Sequence, residues 1–377
     1  MLNKPKIKAL VVDDSSLMRS HICAALVEHG IITDTAANGV ECLEKIARFQ
    51  PDVITLDINM PVMDGLECLA QIMKTHPLPV VMVSSLTQKN ASETLKALDL
   101  GAVDYVAKPH GSVSLTLNRT KYMLVSKVVN ASKIDVRRLK KLSTKSKQPS
   151  AVAAAKIQTT STIKQNLASS QVSSMAKSTL QGGASSAKAS IELIVVGVST
   201  GGPGSLQEII PKLPANYPYP IVIAQHMPSR FTKVFAARLN KLSQLKVEEL
   251  STDTRLQPGH AYVAQGDANV QVYRKSGYLY GRPNADESHH IWKPSITLLV
   301  ESAIKSIQPT GVCYVQLTGM GNDGAESMAK AHTAGATTIA ESEETCVVYG
   351  MPKALVKLNG ASKILANYDI AQALMSL

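Results

Sequence analysis

At 377 residues with 45% hydrophobic content, the chain can bury more than one core, because single domains stop growing at about 250 to 300 residues. No stretch approaches the roughly 20 apolar residues of a spanning helix, and Asp13 and Asp14 stand where a signal peptide would keep its apolar core. A cytoplasmic protein that does not span the membrane is therefore expected. The net charge of +11 is concentrated in one segment: His110 to Ser190 carries fourteen Lys plus Arg against one acid, and the remainder carries 26 against 28. With 4% aromatic residues there is no stacking platform for bases, so nucleic acid is not an expected partner. The five cysteines are odd in number, lack CxxC spacing and read as small core residues.

From Lys6 to Pro109, short β-branched runs alternate with helical periods. Strands are expected at Ile7 to Val12, Ile31 to Thr35, Val53 to Leu56, Val80 to Val83 and Tyr105 to Ala107. Helices fit Leu17 to Val27, Val40 to Phe49 and Leu66 to Met73. Five βα units imply an open, doubly wound, mostly parallel sheet with ligands at the carboxyl ends of its strands. The helical pattern resumes over Leu115 to Leu142 and then fails. Ser143 to Ser190 is rich in Ser, Ala, Thr, Lys and Gln, with too few large side chains to offset its ordering entropy, and is expected to be a flexible basic tether.

A second α/β unit opens at Ile191. Its strands are expected to include Ile194 to Val196, Ile221 to Ala224 and Val312 to Leu317, with helices near Phe231 to Leu242, Ser295 to Ile304 and Ala325 to Ala334. Ala261 to Ala264 and Val270 to Arg274 read as a hairpin inserted into that sheet. The expected organisation is residues 1–142, a linker over 143–190 and a second domain over 191–377.

Polar residues follow the first unit's strands: Asp13 and Asp14 after the first, Asp57 after the third, Ser84 after the fourth and Lys108 after the fifth. Three converging carboxylates need a cation, and an all-oxygen set suits Mg²⁺. Alone, an Asp-Asp pair could cap a helix and Lys108-Pro109 is an ordinary turn. Val12-Asp13-Asp14-Ser15, Asp57-Ile58-Asn59-Met60-Pro61, Asp64-Gly65, Ser84 and Lys108-Pro109 together resemble the receiver domain of bacterial response regulators. The resemblance implies that Asp57 accepts a phosphoryl group from a histidine kinase, and that Asp13, Asp14, Asp57 and the Asn59 carbonyl hold Mg²⁺. It further implies that Ser84 and Lys108 bind the phosphoryl oxygens and that Tyr105 is a rotating switch.

In the second unit, Gly197-Val198-Ser199-Thr200-Gly201-Gly202-Pro203 forms a glycine-rich strand-to-helix turn that exposes amides and a hydroxyl. Alone it fits a nucleophile or a phosphate cradle equally, although it lacks the GxGxxG spacing and the Walker lysine. His226, after Ile221 to Gln225, and Asp323, after Val312 to Leu317, supply a base and an orienting acid at strand ends. A serine hydroxyl needs both in order to attack. Gly197 to Gly202, Gln225-His226-Met227, Leu317 to Ala325 and Val347-Val348-Tyr349-Gly350-Met351-Pro352 look like the catalytic domain of the protein-glutamate methylesterase and glutaminase of bacterial chemotaxis.

That resemblance implies Ser199 as nucleophile, His226 as base, Asp323 as orienting acid and the Met320 backbone N–H as an oxyanion donor, with no cofactor for the hydrolysis. It implies receptor γ-glutamyl methyl esters as substrate, certain receptor glutamines as targets of deamidation, and activity governed by phosphorylation. A monomer is expected. Trp292, Thr297 and Gln265 depart from the family pattern outside the triad, where they bear on receptor preference. Two other readings stay open: a receiver-regulated esterase of a pathway that does not control swimming, and a binding module with a silent hydrolase domain.

Overall fold

Short runs such as Val80–Ser84, with every side chain buried, are what a parallel strand covered on both faces requires. In the computed structural model, which describes residues 6–85, 87–108, 114–134, 191–284 and 292–377 (backbone alone at 88 and 114–119), these runs build two doubly wound sheets. The expected tether at 143–190 lies outside the described residues, as do Pro109 and the helical pattern beyond residue 134.

The first unit runs β1 (Lys8–Val12), α1 (Ser16–Val27), β2 (Ile32–Ala36), α2 (Gly39–Phe49), β3 (Val53–Asp57), α3 (Gly65–Thr75), β4 (Val80–Ser84), α4 (Gln88–Leu100), β5 (Asp104–Ala107) and α5 (Ser114–Ala131). Its parallel sheet has the order β2-β1-β3-β4-β5. Caps set the helix starts: Ser15, Asn38, Asp64 and Thr87 each accept a backbone N–H from the first turn that follows.

The second unit runs β6 (Leu193–Val198), α6 (Gly202–Ile209), β7 (Ile221–Gln225), α7 (Ser229–Leu242), β8 (Lys246–Leu250), β9 (Thr254–Arg255), β10 (His260–Ala264), β11 (Asn269–Lys275) and β12 (Tyr278–Asn284). It continues through α8 (Ile296–Ser306), β13 (Val312–Gln316), α9 (Ala325–Thr333), β14 (Thr337–Glu341), α10 (Met351–Lys357), β15 (Lys363–Leu365) and α11 (Asn367–Met375). Seven parallel strands take the order β15-β14-β13-β6-β7-β10-β8, and β11-β12-β9 form a separate antiparallel sheet.

The inserted hairpin pairs different strands from those expected. β10 is an interior strand of the large sheet, in parallel register with β7 and β8, and does not pair with β11. β11 pairs instead with β12 across Ser276-Gly277. The physical reason lies in the turns. Ser276 and Gly277 both adopt left-handed backbone, with φ of 49° and 82°, which suits a two-residue hairpin turn, whereas Gln265 to Ala268 carries the chain out of the sheet.

The two units share an apolar junction. One buried cluster runs from Leu56 and Met82 through Tyr105 to Phe231, Val196 and Ile223. Tyr105 stacks on Phe231 of α7 with ring centroids 4.6 Å apart and planes 16° from parallel. Beside it, Asp99 of α4 pairs with Arg238 and accepts a hydrogen bond from Gln207 at 3.4 Å. Each unit also has a core of its own, around Val11 and Val125 in the first and around Tyr314 and Leu299 in the second. Four of the five cysteines are buried and Cys23 is half-buried.

Candidate functional site

Strand order reverses between β1 and β3, which opens a crevice at their carboxyl ends. Lys108, following β5, reaches across it: its Nζ lies 2.8 Å from Asp13 Oδ2 and 2.9 Å from Asp57 Oδ2. Asp13 and Asp57 are buried and Asp14 is exposed, yet ligand oxygens of all three lie within 4.8 Å of one another. Burial pushes the Asp57 carboxyl up; the Lys108 ammonium opposes this and Asp13 adds to it, leaving the value raised. Burial works against the Lys108 charge, but the two carboxylates outweigh it and raise its value. Three carboxylates facing one ammonium form an all-oxygen donor set in excess negative charge, which fits Mg²⁺.

The neighbouring positions follow the same rim. Ser84 ends β4 fully buried, its hydroxyl 3.4 Å from the Ser85 carbonyl oxygen. Asn59 is exposed and donates its side-chain amide to Asn90 at 3.3 Å. Gly65 is required where α3 meets the rim, since a Cβ there would come within 2.0 Å of the Asp57 carbonyl oxygen. Tyr105 is buried, and its hydroxyl has no hydrogen-bond partner among the described residues. Lys127 Nζ sits 5.0 Å over its ring and donates to Asp104 Oδ1 at 2.7 Å.

In the large sheet, Val198 is the register partner of Gln225, and the His226 amide donates to the Val198 carbonyl at 3.1 Å. Ser199 and His226 are therefore the next residues on adjacent parallel strands, which run about 5 Å apart. The Ser199 amide donates to the Thr318 carbonyl at 3.0 Å, and Gln225 Nε2 donates to the Ser199 carbonyl at 3.0 Å, which fixes the turn. Gly201 has φ of 80°, and a Cβ on it would meet Val347 at 2.5 Å, so no other residue fits there without strain.

His226 Nε2 lies 2.9 Å from Asp323 Oδ2. Burial alone would push the Asp323 carboxyl up; the His226 ring, the Thr297 hydroxyl and the Ile296 amide outweigh it and hold the value at about 2. His226 Nδ1, on the other side of the ring, is buried, and neither it nor the Ser199 hydroxyl has a hydrogen-bond partner among the described residues. Hydrogen bonds of this kind often close only when substrate binds. Met320 is 8% exposed in the loop between β13 and Asp323.

Residues 194–374 match the CheB methylesterase family, and residues 9–118 match the response regulator receiver domain. Protein-glutamate methylesterase/protein-glutamine glutaminase 3 of Rhodospirillum rubrum is 45% identical over 365 residues, 97% of this chain and 94% of that protein. The chain belongs to the CheB methylesterase family. Protein-glutamate methylesterase/protein-glutamine glutaminase 2 of Carboxydothermus hydrogenoformans is 42% identical and covers 99% of both chains. The crystal structure of the Thermotoga maritima CheB methylesterase catalytic domain is 38% identical, with a TM-score of 0.48, covering 50% of this chain and 98% of that one.

Within this CheB-family chain, two of the departures from the family pattern touch the His226 and Asp323 side chains. Trp292 stacks on the His226 ring, with centroids 4.9 Å apart and planes 4° from parallel. Thr297 donates to Asp323 Oδ1 through its hydroxyl at 2.7 Å and its amide at 2.9 Å, and the Ile296 amide donates to Oδ2 at 2.8 Å. The N-terminus of α8 thus holds the carboxylate. Pro294-Ser295 ahead of an apolar run is the sequence signal for that terminus, and Ser295 does cap the helix. Nothing in the sequence announced the Trp292 stack, because it depends on a tertiary contact.

Proposed function

We propose that this chain hydrolyses γ-glutamyl methyl esters on chemoreceptors to glutamate and methanol, and deamidates particular receptor glutamines, under the control of a histidine kinase that phosphorylates Asp57. The observation that carries the proposal is the adjacency of Ser199 and His226 on neighbouring strands, with the ring oriented through Nε2 by Asp323 and with Nδ1 free of any described partner. Ser199 Oγ attacks the ester carbonyl while His226 Nδ1 takes its proton, and Asp323 stabilises the imidazolium. The Met320 amide and the N-terminus of α6 face the developing oxyanion. His226 returns the proton to the leaving methanol, or to ammonia in deamidation, and then activates the water that cleaves the acyl-enzyme. Methanol release from a methylated receptor, compared between the unsubstituted chain and Ser199→Ala, tests the proposal.

In the receiver, Asp13, Asp14, Asp57 and the Asn59 carbonyl would hold Mg²⁺, which supplies charge neutralisation for the incoming phosphoryl group. Ser84 and Lys108 then bind phosphoryl oxygens. Chelation with EDTA is expected to abolish stimulation by a small-molecule phosphodonor while leaving unphosphorylated methanol release unchanged, and Asp57→Ala to have the same effect. Both are read by comparing turnover with and without phosphodonor.

Regulation by release of a docked receiver is supported by what the first unit touches. Ser126 Oγ of α5 lies 3.1 Å from Met320 Sδ, and Asn130 contacts the same sulfur. Asp104 of β5 accepts a hydrogen bond from the Thr200 hydroxyl, one residue beyond Ser199. A cavity of about 140 Å³ between the units is lined by Tyr105, Met123, Lys127, His226 and Trp292. Phosphorylation shifts the balance from this docked arrangement towards an open one. Tether length bears on the same balance, because effective concentration changes about threefold per doubling of length. Deleting half of residues 143–190 should therefore lower unphosphorylated turnover, and basal turnover that ignores the deletion would rule the idea out.

A further inference from the structure

Glu341, the last residue of β14, is fully buried, and nothing in the hydrolytic steps uses it. Its Oε2 accepts the Thr318 amide at 2.8 Å, and its two carboxylate oxygens lie 3.4 and 3.5 Å from Ser205 Oγ. These two contacts bracket the serine turn. Thr318 receives the Ser199 amide on its carbonyl at 3.0 Å, donates its hydroxyl to the Thr200 carbonyl at 2.9 Å and accepts the Val348 amide at 3.0 Å. Ser205 lies in α6, the helix that starts just past the turn, and its amide donates to the Gly201 carbonyl at 3.2 Å.

We infer that Glu341 is a positioning residue that holds the Ser199 turn from behind through Thr318 and Ser205, so that hydrolysis depends on the ionisation state of its carboxyl. The inference rests on the reading of Ser199 as nucleophile. An ionised carboxylate only accepts, and the bonds it makes here come from donors: the Thr318 amide and the Ser205 hydroxyl. Protonation turns one oxygen into a donor and misplaces a hydrogen bond in a dry site, where such a mismatch is costly.

The carboxyl has no ion-pair partner among the described residues. None of the titratable groups on the packed elements pairs with it: Glu208 on α6, Cys313 and Tyr314 on β13, Lys363 on β15, Glu326, Lys330 and His332 on α9, Lys353 and Lys357 on α10, Tyr368 and Asp369 on α11. The Cys346 thiol rests on the Glu341 carbonyl oxygen at 3.8 Å. Burial pushes the carboxyl up to about 7, against the pull of the Thr318 amide and the Thr345 and Ser205 hydroxyls. The group therefore changes charge across the neutral range. Because the folded value lies above the ordinary 4.5, fold stability declines as pH rises from about 4.5 to about 7.

Glu341→Gln keeps an acceptor for Thr318 and cannot ionise, so it separates titration from packing. Methanol release by the full chain is followed from about pH 5.5 to about 9. The unsubstituted chain should lose kcat on the acid side through two ionisations, and Glu341→Gln through one. Glu341→Ala, which removes the acceptor, should lower kcat by about ten- to a hundredfold with little change in KM. Glu341→Gln, whose amide carries a donor as the protonated carboxyl does, should stay near the reduced kcat of the protonated chain and fall further behind the unsubstituted chain as pH rises. A Glu341→Gln profile that superimposes on that of the unsubstituted chain overturns the inference while leaving Ser199 in its role. Methanol release that survives Ser199→Ala overturns the parent reading, and this inference with it.

Discussion

Ser199→Ala is expected to lower methanol release by about six orders of magnitude, and Asp323→Asn by about four. The first loss is large because, in the proposed mechanism, the serine and its base act as one unit, and removing either leaves only binding and oxyanion stabilisation. The second follows from the geometry around Asp323. Its oxygens accept from His226, Thr297 and Ile296, so an amide in its place would turn a donor towards a donor and leave His226 in the wrong tautomer. With its value held at about 2, Asp323 stays ionised through the working range, and acid loss of activity arises elsewhere. Its folded value lies below the ordinary 3.8. The stabilisation it brings, about 2 kcal/mol, is complete above about pH 4 and is lost as pH falls through about 2. The kinetic loss is checked by single-turnover assay on variants whose circular dichroism matches the unsubstituted chain.

Deleting residues 1–142 should raise unphosphorylated turnover by about 5- to 150-fold, the range that a coupling free energy of about 1 to 3 kcal/mol allows. The docked contacts are the Tyr105–Phe231 stack, the Asp104–Thr200 hydrogen bond, the Asp99–Arg238 pair and the approach of Ser126 to Met320. A stacked aromatic pair contributes about 0.5 to 1.5 kcal/mol, and a half-exposed ion pair contributes about 1 kcal/mol or less. The sum is small enough for one phosphoryl group to shift. Asp99→Arg tests the same interface in the full chain, because it sets two like charges against each other at the surface of α4 and α7. Basal turnover should rise in this variant too. An unchanged or lower rate in both proteins would remove docking as the brake.

Much of the fold was legible in the sequence, and so was the placement of both candidate sites, because strand ends in parallel sheets couple local pattern to ligand position. Buried runs such as Val53–Asp57 and Ile221–Gln225 marked their strands, and the residue that ended or followed each run landed on the expected rim. Packing that links distant segments was not legible. The order of β10 and β8 within the large sheet depends on burial on both faces, which periodicity cannot distinguish from a hairpin arm. Ser276-Gly277 was the better turn signal, a two-residue loop in left-handed backbone that closes a hairpin, whereas the Gln265–Ala268 stretch is longer. Trp292 against His226 and Glu341 beneath Thr318 meet only in the fold, across 66 and 23 residues of chain.

Labelling with a fluorophosphonate tests most directly whether an activated serine sits under a removable receiver. The serine oxygen attacks the probe's phosphorus and displaces fluoride only where a base takes the hydroxyl proton, and mass spectrometry of the digested protein locates the phosphonyl adduct. The adduct should form on Ser199, should vanish in His226→Ala, and should form faster after phosphodonor and Mg²⁺ are added. Labelling that falls on another residue, or that proceeds on Ser199 at the same rate without His226, would contradict the arrangement described for this sheet edge.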